Sequence, residues 1–312
     1  MKHLPVFLLL IIILFNGCSK TPEEDPGKEP VTAGMHDSVM VIDGMKRSFL
    51  YYIPPAFSAD NRPALTIVLH GMTQTGYDII GTIFTSVGPD VDSINNIIVC
   101  PTAFSGHWND RMGGIFPSTD TVDDVKFLSN LIDFFISEFR CNPKAVYVMG
   151  FSNGGMMTYR LSCDIPQKIR AIASFISMIG VVASQHTSEA PPLPVFITNG
   201  TADPIMLWNG GVVGTPAVPL LGVLLSNDDN VTYWLKRNQT YKTADITYLP
   251  DYCPGDSSRV VSYHYGGENE VVFNKVINGG HFAPVLRDRP IVPTFNCDFE
   301  SVRSAWIFLH NH

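Results

Sequence analysis

Apolar and polar positions alternate through "SVMVIDGMKRSFLYYIPP", which holds Asp43-Gly44 at its middle. Alternation of this kind puts successive side chains on opposite faces of a strand. Asp-Gly between two such runs predicts a hairpin. Two continuous apolar runs follow, "ALTIVLHG" and "NNIIVCPTA", which read as buried strands, with a helix between them near Tyr77 to Phe84. Leu128, Leu131, Ile132, Phe135 and Phe139 then recur at the spacing of one helix face, ahead of the short apolar strand in "NPKAVYVMG". The alternation continues. A helix from Asn153 to about Cys163 leads to the strand "IRAIASFISM", then "PVFITNG", a helix in "NVTYWLKRN", a hairpin-like pair in "VVSYHYGGENEVVFNKVI", and a final amphipathic helix in "FESVRSAWIFLHN". Strands alternating with helices predict an α/β protein with a mostly parallel central sheet covered by helices on both faces and no large lid domain. The stretch from Gly210 to Asp229 has no clear period and is expected to be a long loop near the functional site.

Composition narrows the class. Of 312 residues, 45% are hydrophobic and 16% charged, which suffices for a sizeable core and argues against disorder. The net charge is −8 and no basic run occurs, so nucleic acid is not an expected partner. At the N-terminus Lys2 and His3 precede "VFLLLIIILF", which is too short to span a bilayer and fits a signal-peptide core. Gly17-Cys18 follows at once, and the pattern resembles a bacterial lipoprotein signal in which the cysteine becomes the lipidated N-terminus. Residues 1–17 are therefore expected to be a signal peptide, 18–35 a flexible tether, and 36–312 one catalytic domain. The chain is expected to be an exported, monomeric outer-membrane lipoprotein, periplasmic or on the cell surface, touching the membrane only through its anchor. Five further cysteines remain: Cys100, Cys141, Cys163, Cys253 and Cys297. Cys100 and Cys163 lie in apolar settings and read as core. Export permits a disulfide, and Cys253 with Cys297 is a guess among the possible pairings. No CxxC or HExxH occurs, so no metal site is expected.

The candidate chemistry centres on "VYVMGFSNGGMM". Gly150-Phe151-Ser152-Asn153-Gly154 matches G-x-S-x-G between a strand and a helix, the context in which a sharp turn lifts a serine hydroxyl above the sheet at a helix N-terminus. A serine hydroxyl needs an adjacent base. Among nine histidines, His281 in "NGGHFAPV" sits on a glycine loop between the last strand and the last helix. His264 falls mid-strand, His310 and His312 lie at the C-terminus, and His70 reads as a loop brace. Asp203, just after "VFITNG", is placed to hold the imidazole in the right tautomer. Donors for a developing oxyanion are expected from the N–H of Asn153 and from the loop after "TIVLHG", through Gly71, Met72 or Thr73.

With these residues in hand, the chain resembles the poly(3-hydroxybutyrate) depolymerase-like and feruloyl esterase-like group, carbohydrate esterase family 1 in the broad sense. "LHGMTQTGYD", "DDVKFLSNLIDFF", "NPKAVYVMGFSNGGMMTYRLSC", "NGTADPI", "YWLKRN" and "NGGHFAP" match its segments, all in the family's order, over nearly all of residues 40–312. The resemblance implies an α/β-hydrolase fold and a serine esterase with a Ser152–His281–Asp203 triad, needing no cofactor. It implies ester substrates on plant polysaccharide, such as feruloyl or acetyl groups on xylan, with polyester depolymerisation as the alternative. A serine peptidase is a weaker choice, and a catalytically inactive glycan-binding lipoprotein is the non-enzymatic alternative. Trp108, Trp208 and Phe282 are the apolar candidates for substrate contact. Two departures, Asn199 where the family usually has His and Phe282-Ala283 where it has Trp, are expected near the acyl or leaving-group pocket and bear on substrate identity rather than mechanism.

Overall fold

Both residues of the Asp43-Gly44 turn adopt positive φ, 50° and 80°, the conformation that a tight hairpin between twisted strands demands. The turn joins β1 (Gly34–Ile42) to β2 (Met45–Ile53) in antiparallel register. The computed structural model describes residues 31–111, 121–185, 190–215, 218–240, 242–285 and 295–312. The expected signal segment, Cys18 and most of the tether lie outside the described residues. Residues 33–312 pack as one compact unit. No helix among the described residues is long and apolar enough to cross a membrane.

The chain continues through β3 (Ala64–Leu69), α1 (Gly76–Val87), α2 (Asp90–Ser93), β4 (Asn96–Pro101), α3 (Asp124–Glu138), β5 (Val146–Phe151), α4 (Asn153–Asp164) and β6 (Ala171–Phe175). It then forms α5 (Val181–Gln185), β7 (Val195–Gly200), β8 (Gly211–Thr215), β9 (Val218–Leu224), α6 (Asn227–Arg237), β10 (Asp245–Tyr248), β11 (Arg259–Tyr265), β12 (Val271–Ile277) and α7 (Ser301–His310). Among the described residues the main sheet has ten strands in the order β1-β2-β4-β3-β5-β6-β7-β12-β11-β10. Its six central strands, β4 to β12 in that order, run parallel, and antiparallel pairs close both edges.

Two apolar layers follow from the strand period. Leu65, Ile67, Leu69, Val146 and Val148 face α3, α4 and α6, whereas Val68, Tyr147 and Met149 face α1 and α7. Both faces are covered, which explains why these strands are apolar throughout. β3 lies between β4 and β5, so the chain leaves it toward one edge and returns on its other side. Loops at the C-terminal ends of strands part at such a reversal and leave a crevice.

Two expectations change. The stretch 210–229 is a two-stranded hairpin, β8 with β9, running into α6, and not an open loop. Val213 and Leu224 of this hairpin bury themselves in one small cluster with Met156 of α4 and with Met178 and Met206 of the loops after β6 and β7. β10 had no sequence signature because all four of its residues are exposed. Cys100 is buried, as expected, while Cys163 is only partly so. Cys253 and Cys297 are joined in a disulfide, which ties the loop before β11 to the segment before α7.

Candidate active site

Ser152 follows β5 with φ 54° and ψ −120°, a conformation that side chains rarely adopt. The neighbouring glycines make this turn possible. A Cβ on Gly150 would strike the carbonyl of Gly154, and one on Gly154 would strike the carbonyls of Leu69 and His70. Gly155 is as restricted, because its Cβ would meet the Ser177 side chain at 2.7 Å. The serine N–H donates to Phe175 O at 3.0 Å, and Ser152 O accepts from Met156 N, so the turn is anchored to β6 and to α4. The hydroxyl is left at the N-terminus of α4, where unpaired N–H groups and the helix dipole favour negative charge.

Asp203 and His281 arrive on the loops after β7 and β12, at the same edge of the sheet. His281 Nε2 lies 3.0 Å from Ser152 Oγ, and His281 Nδ1 lies 2.7 Å from Asp203 Oδ2. Asp203 is 4% exposed, and its Oδ1 accepts the N–H groups of Ile205 (2.8 Å) and Met206 (2.9 Å). An ionised carboxylate can only accept, so the imidazole proton sits on Nδ1 and Nε2 is free to accept from the serine hydroxyl. Serine, imidazole and carboxylate thus form one continuous chain of hydrogen bonds.

The loop after β3 stands opposite. His70 is fully buried, and burial lowers its pKa, which keeps the ring neutral. Its Nδ1–H donates to Gly71 O at 2.6 Å and its Nε2 accepts the Ala103 N–H at 3.0 Å, the loop-bracing role expected of it. Gly71 is corrected as an oxyanion donor, because its N–H is already given to Gln74 Oε1 at 2.9 Å. Thr73 N–H is likewise given to Gly106 O at 2.8 Å. Met72 lines the cleft, and its N–H has no partner among the described residues. The N–H of Asn153, the first residue of α4, faces the same crevice end of the sheet as one of the helix's unpaired donors. The Asn153 side chain is buried and has a second task. Its Oδ1 accepts Trp108 N–H at 2.8 Å, and its Nδ2 donates to Trp108 O at 3.1 Å and Asp110 Oδ2 at 2.6 Å.

A cleft of 640 Å³ opens at Ser152 and His281. Its walls are mostly apolar and include Ile79, Ile176, Ile205, Met206, Phe282 and Phe295. Ile176 holds φ 47°, unusual for a β-branched residue, with its N–H on Thr198 O at 2.8 Å. Phe282 is 52% exposed and packs edge-on to Phe295 at 5.7 Å, so it lies where a substrate contact was expected. The two tryptophans do not. Trp108 is completely buried, with its Nε1–H on His70 O at 3.0 Å, and braces the core beneath the β3 loop. Trp208 lies in a separate shallow groove against Phe273, with Lys275 Nζ 4.8 Å above its ring. Asn199 also stays out of the cleft. It accepts Ser177 N–H at 2.8 Å and donates to Ser177 O and Asn227 Oδ1, which pins the loop after β6. Phe295 and Gln74 were missed from the sequence. Phe295 carries no local signal, and Gln74 showed only as a polar residue after a glycine turn.

No family model matches the chain. Feruloyl esterase B of Piromyces equi is 30% identical over 136 residues, 42% of this chain and 24% of that protein. A poly(3-hydroxybutyrate) depolymerase of Ralstonia pickettii is 25% identical over 281 residues, 85% of this chain and 53% of that protein. The chain therefore spans only a part of these curated relatives. Among solved structures, an acetyl xylan esterase from Aspergillus awamori superposes with a TM-score of 0.55 at 12% identity, over 79% of this chain and 94% of that one. The fold is that of an α/β-hydrolase. The chain's homologues in sequence bear the names of feruloyl esterases and poly(3-hydroxybutyrate) depolymerases. In this fold the crevice at the strand reversal is lined by Ser152 and Met72, with Asn153 opening α4 directly behind the serine.

Proposed function

We propose that this chain is a serine carboxylic ester hydrolase, exported and anchored through a lipid on Cys18, which removes feruloyl or acetyl esters from plant polysaccharide such as xylan. The reading rests above all on the Ser152 Oγ–His281 Nε2 distance of 3.0 Å, with Asp203 2.7 Å behind the ring. Ser152 attacks the ester carbonyl as His281 takes its proton. The Met72 and Asn153 N–H groups receive the oxyanion, and Asp203 stabilises the imidazolium. His281 then gives the proton to the departing alcohol, and water, activated by the same imidazole, releases the acid. Every step is supplied by the chain's own groups. The apolar cleft walls and the Phe282–Phe295 pair favour an aryl or short acyl group over a charged one. The name of the relative from Piromyces equi supports a feruloyl ester as substrate. Lipid anchoring suits an enzyme whose polymeric substrate cannot enter the cell.

A second reading, polyester depolymerisation, is favoured by the Ralstonia pickettii relative, whose match runs along 85% of this chain. One experiment tests the first claim and divides the two. Ser152→Ala should lower turnover of p-nitrophenyl acetate by at least about a thousandfold with the fold retained. The wild type should then release ferulate from feruloylated oligosaccharide faster than it cleaves hydroxybutyrate oligomers. Undiminished turnover in the variant removes the nucleophile assignment, and the reverse substrate order moves the reading to polyesters.

A further inference from the structure

Three consecutive N–H groups follow β3, at Gly71, Met72 and Thr73, and an oxyanion could draw on any of them. The two flanking groups are spent. Gly71 N–H donates to Gln74 Oε1 at 2.9 Å, and Thr73 N–H donates to Gly106 O at 2.8 Å. Gln74 closes the turn a second time, through its own N–H on Gly71 O at 3.3 Å, an oxygen that also accepts from His70 Nδ1. The turn needs this support. Thr73 sits at φ 64°, a conformation that a β-branched residue resists. Gly106, at φ 72°, approaches so closely that a Cβ would lie 3.3 Å from Thr73 Cα. The loop is therefore held from both sides in an unfavourable shape.

From this geometry, and resting on the esterase reading above, we infer that Gln74 is a positioning residue for ester hydrolysis: its carboxamide oxygen ties back Gly71 N–H and leaves Met72 N–H as the loop's oxyanion donor. The residue type fits the task. Gly71 N–H is a donor, so only Oε1 can face it, and the assignment of the amide's two ends follows. A glutamate would offer the same acceptor but set a second negative charge beside the developing oxyanion. A methionine has the same length and no strong acceptor. Gln74 is exposed and lines the cleft, so its replacement disturbs no core packing.

The test compares the wild type with Gln74→Met on p-nitrophenyl acetate, on a phenylboronic acid that forms a tetrahedral adduct with Ser152, and by hydrogen exchange at the Gly71 amide. The expected result is a fall in kcat of roughly tenfold to a hundredfold, somewhat less than the loss of a whole oxyanion donor. KM should stay unchanged, boronate affinity should weaken by a comparable factor, Gly71 should exchange faster, and Tm should stay close to that of the wild type. A merely structural residue would move Tm and leave the kcat of the folded enzyme alone. An active wild type whose Gln74→Met variant keeps its kcat and boronate affinity, or changes only in KM, overturns this inference and leaves the esterase reading standing. A folded wild type inert toward every ester overturns both.

Discussion

Asp203 Oδ2 accepts the Nδ1–H of His281 at 2.7 Å, while the other oxygen of the same carboxylate accepts two backbone N–H groups of its own loop. One oxygen thus orders the loop and the other orders the imidazole. Asp203→Asn separates these tasks. The amide oxygen can keep the bonds to Ile205 and Met206, but its NH2 cannot accept from the ring. The imidazole then places its proton on Nε2, facing Ser152, and is lost as a base. Turnover of p-nitrophenyl acetate should fall by about ten-thousandfold with circular dichroism unchanged. A variant within a factor of ten of wild type, by kcat/KM, would take Asp203 out of the mechanism.

Phe282 supplies a half-exposed ring on the cleft wall beside Phe295, so its truncation costs little stability. An aromatic contact of this kind contributes about 1 kcal/mol, so Phe282→Ala should raise KM for a feruloyl ester about fivefold. The acetyl ester, too small to reach the ring, should be hydrolysed as before. Steady-state kinetics on the two esters decide it, and equal effects on both would assign Phe282 to the fold instead.

Burial lowers the pKa of both His70 and His310 below the ordinary imidazole value. The unfolded chain then binds more protons than the folded one as acid is added. The stability associated with neutral rings is fully present above about pH 6.5 and is lost as pH falls through the depressed folded-state values. Tm should be level above neutrality and fall on acidification below that point. His310 packs against Tyr147 and Trp306, so His310→Phe keeps an aromatic ring there and should flatten part of the slope. A Tm profile with the same acid slope in wild type and variant would show that His310 does not contribute.

The Cys253–Cys297 bond closes a sequence separation of 44 residues, and the chain-entropy estimate for such a loop is about 4 kcal/mol. Cys253→Ser with Cys297→Ser, followed by urea titration, should show a loss of that order. Phe295 stands two residues before Cys297 on the cleft wall, so the same variant should lose more activity on the feruloyl ester than on the acetyl ester. Unchanged urea midpoint and unchanged ester preference would count against both roles.

Most of this architecture was legible in the chain because its signals are local. The Asp43-Gly44 hairpin, the apolar strands and the face of α3 each follow from spacing over a few residues, and Ser152 declares itself through glycines two positions away. The exposed β10 and the β8–β9 hairpin lacked such signals: one buries nothing, and the other packs on α4 and on two loops, all distant from it in sequence. The aromatic candidates divided for a similar reason. Composition marks a tryptophan as apolar but is silent on its direction, so Trp108 proved to be core and Trp208 a neighbouring groove, while Phe282 alone reached the cleft.

The sequence by itself determined which residue types could do the chemistry and the strand-end loops that would carry them, because turn geometry and hydrophobic period are properties of short segments. Only the tertiary structure decided which N–H after β3 remains unspent, which rings wall the cleft, and how Gln74, Gly106 and Asn153 hold the two sides together. Those are matters of a few tenths of an ångström between groups far apart in the chain, and they exist only once the sheet has brought its loops to one edge.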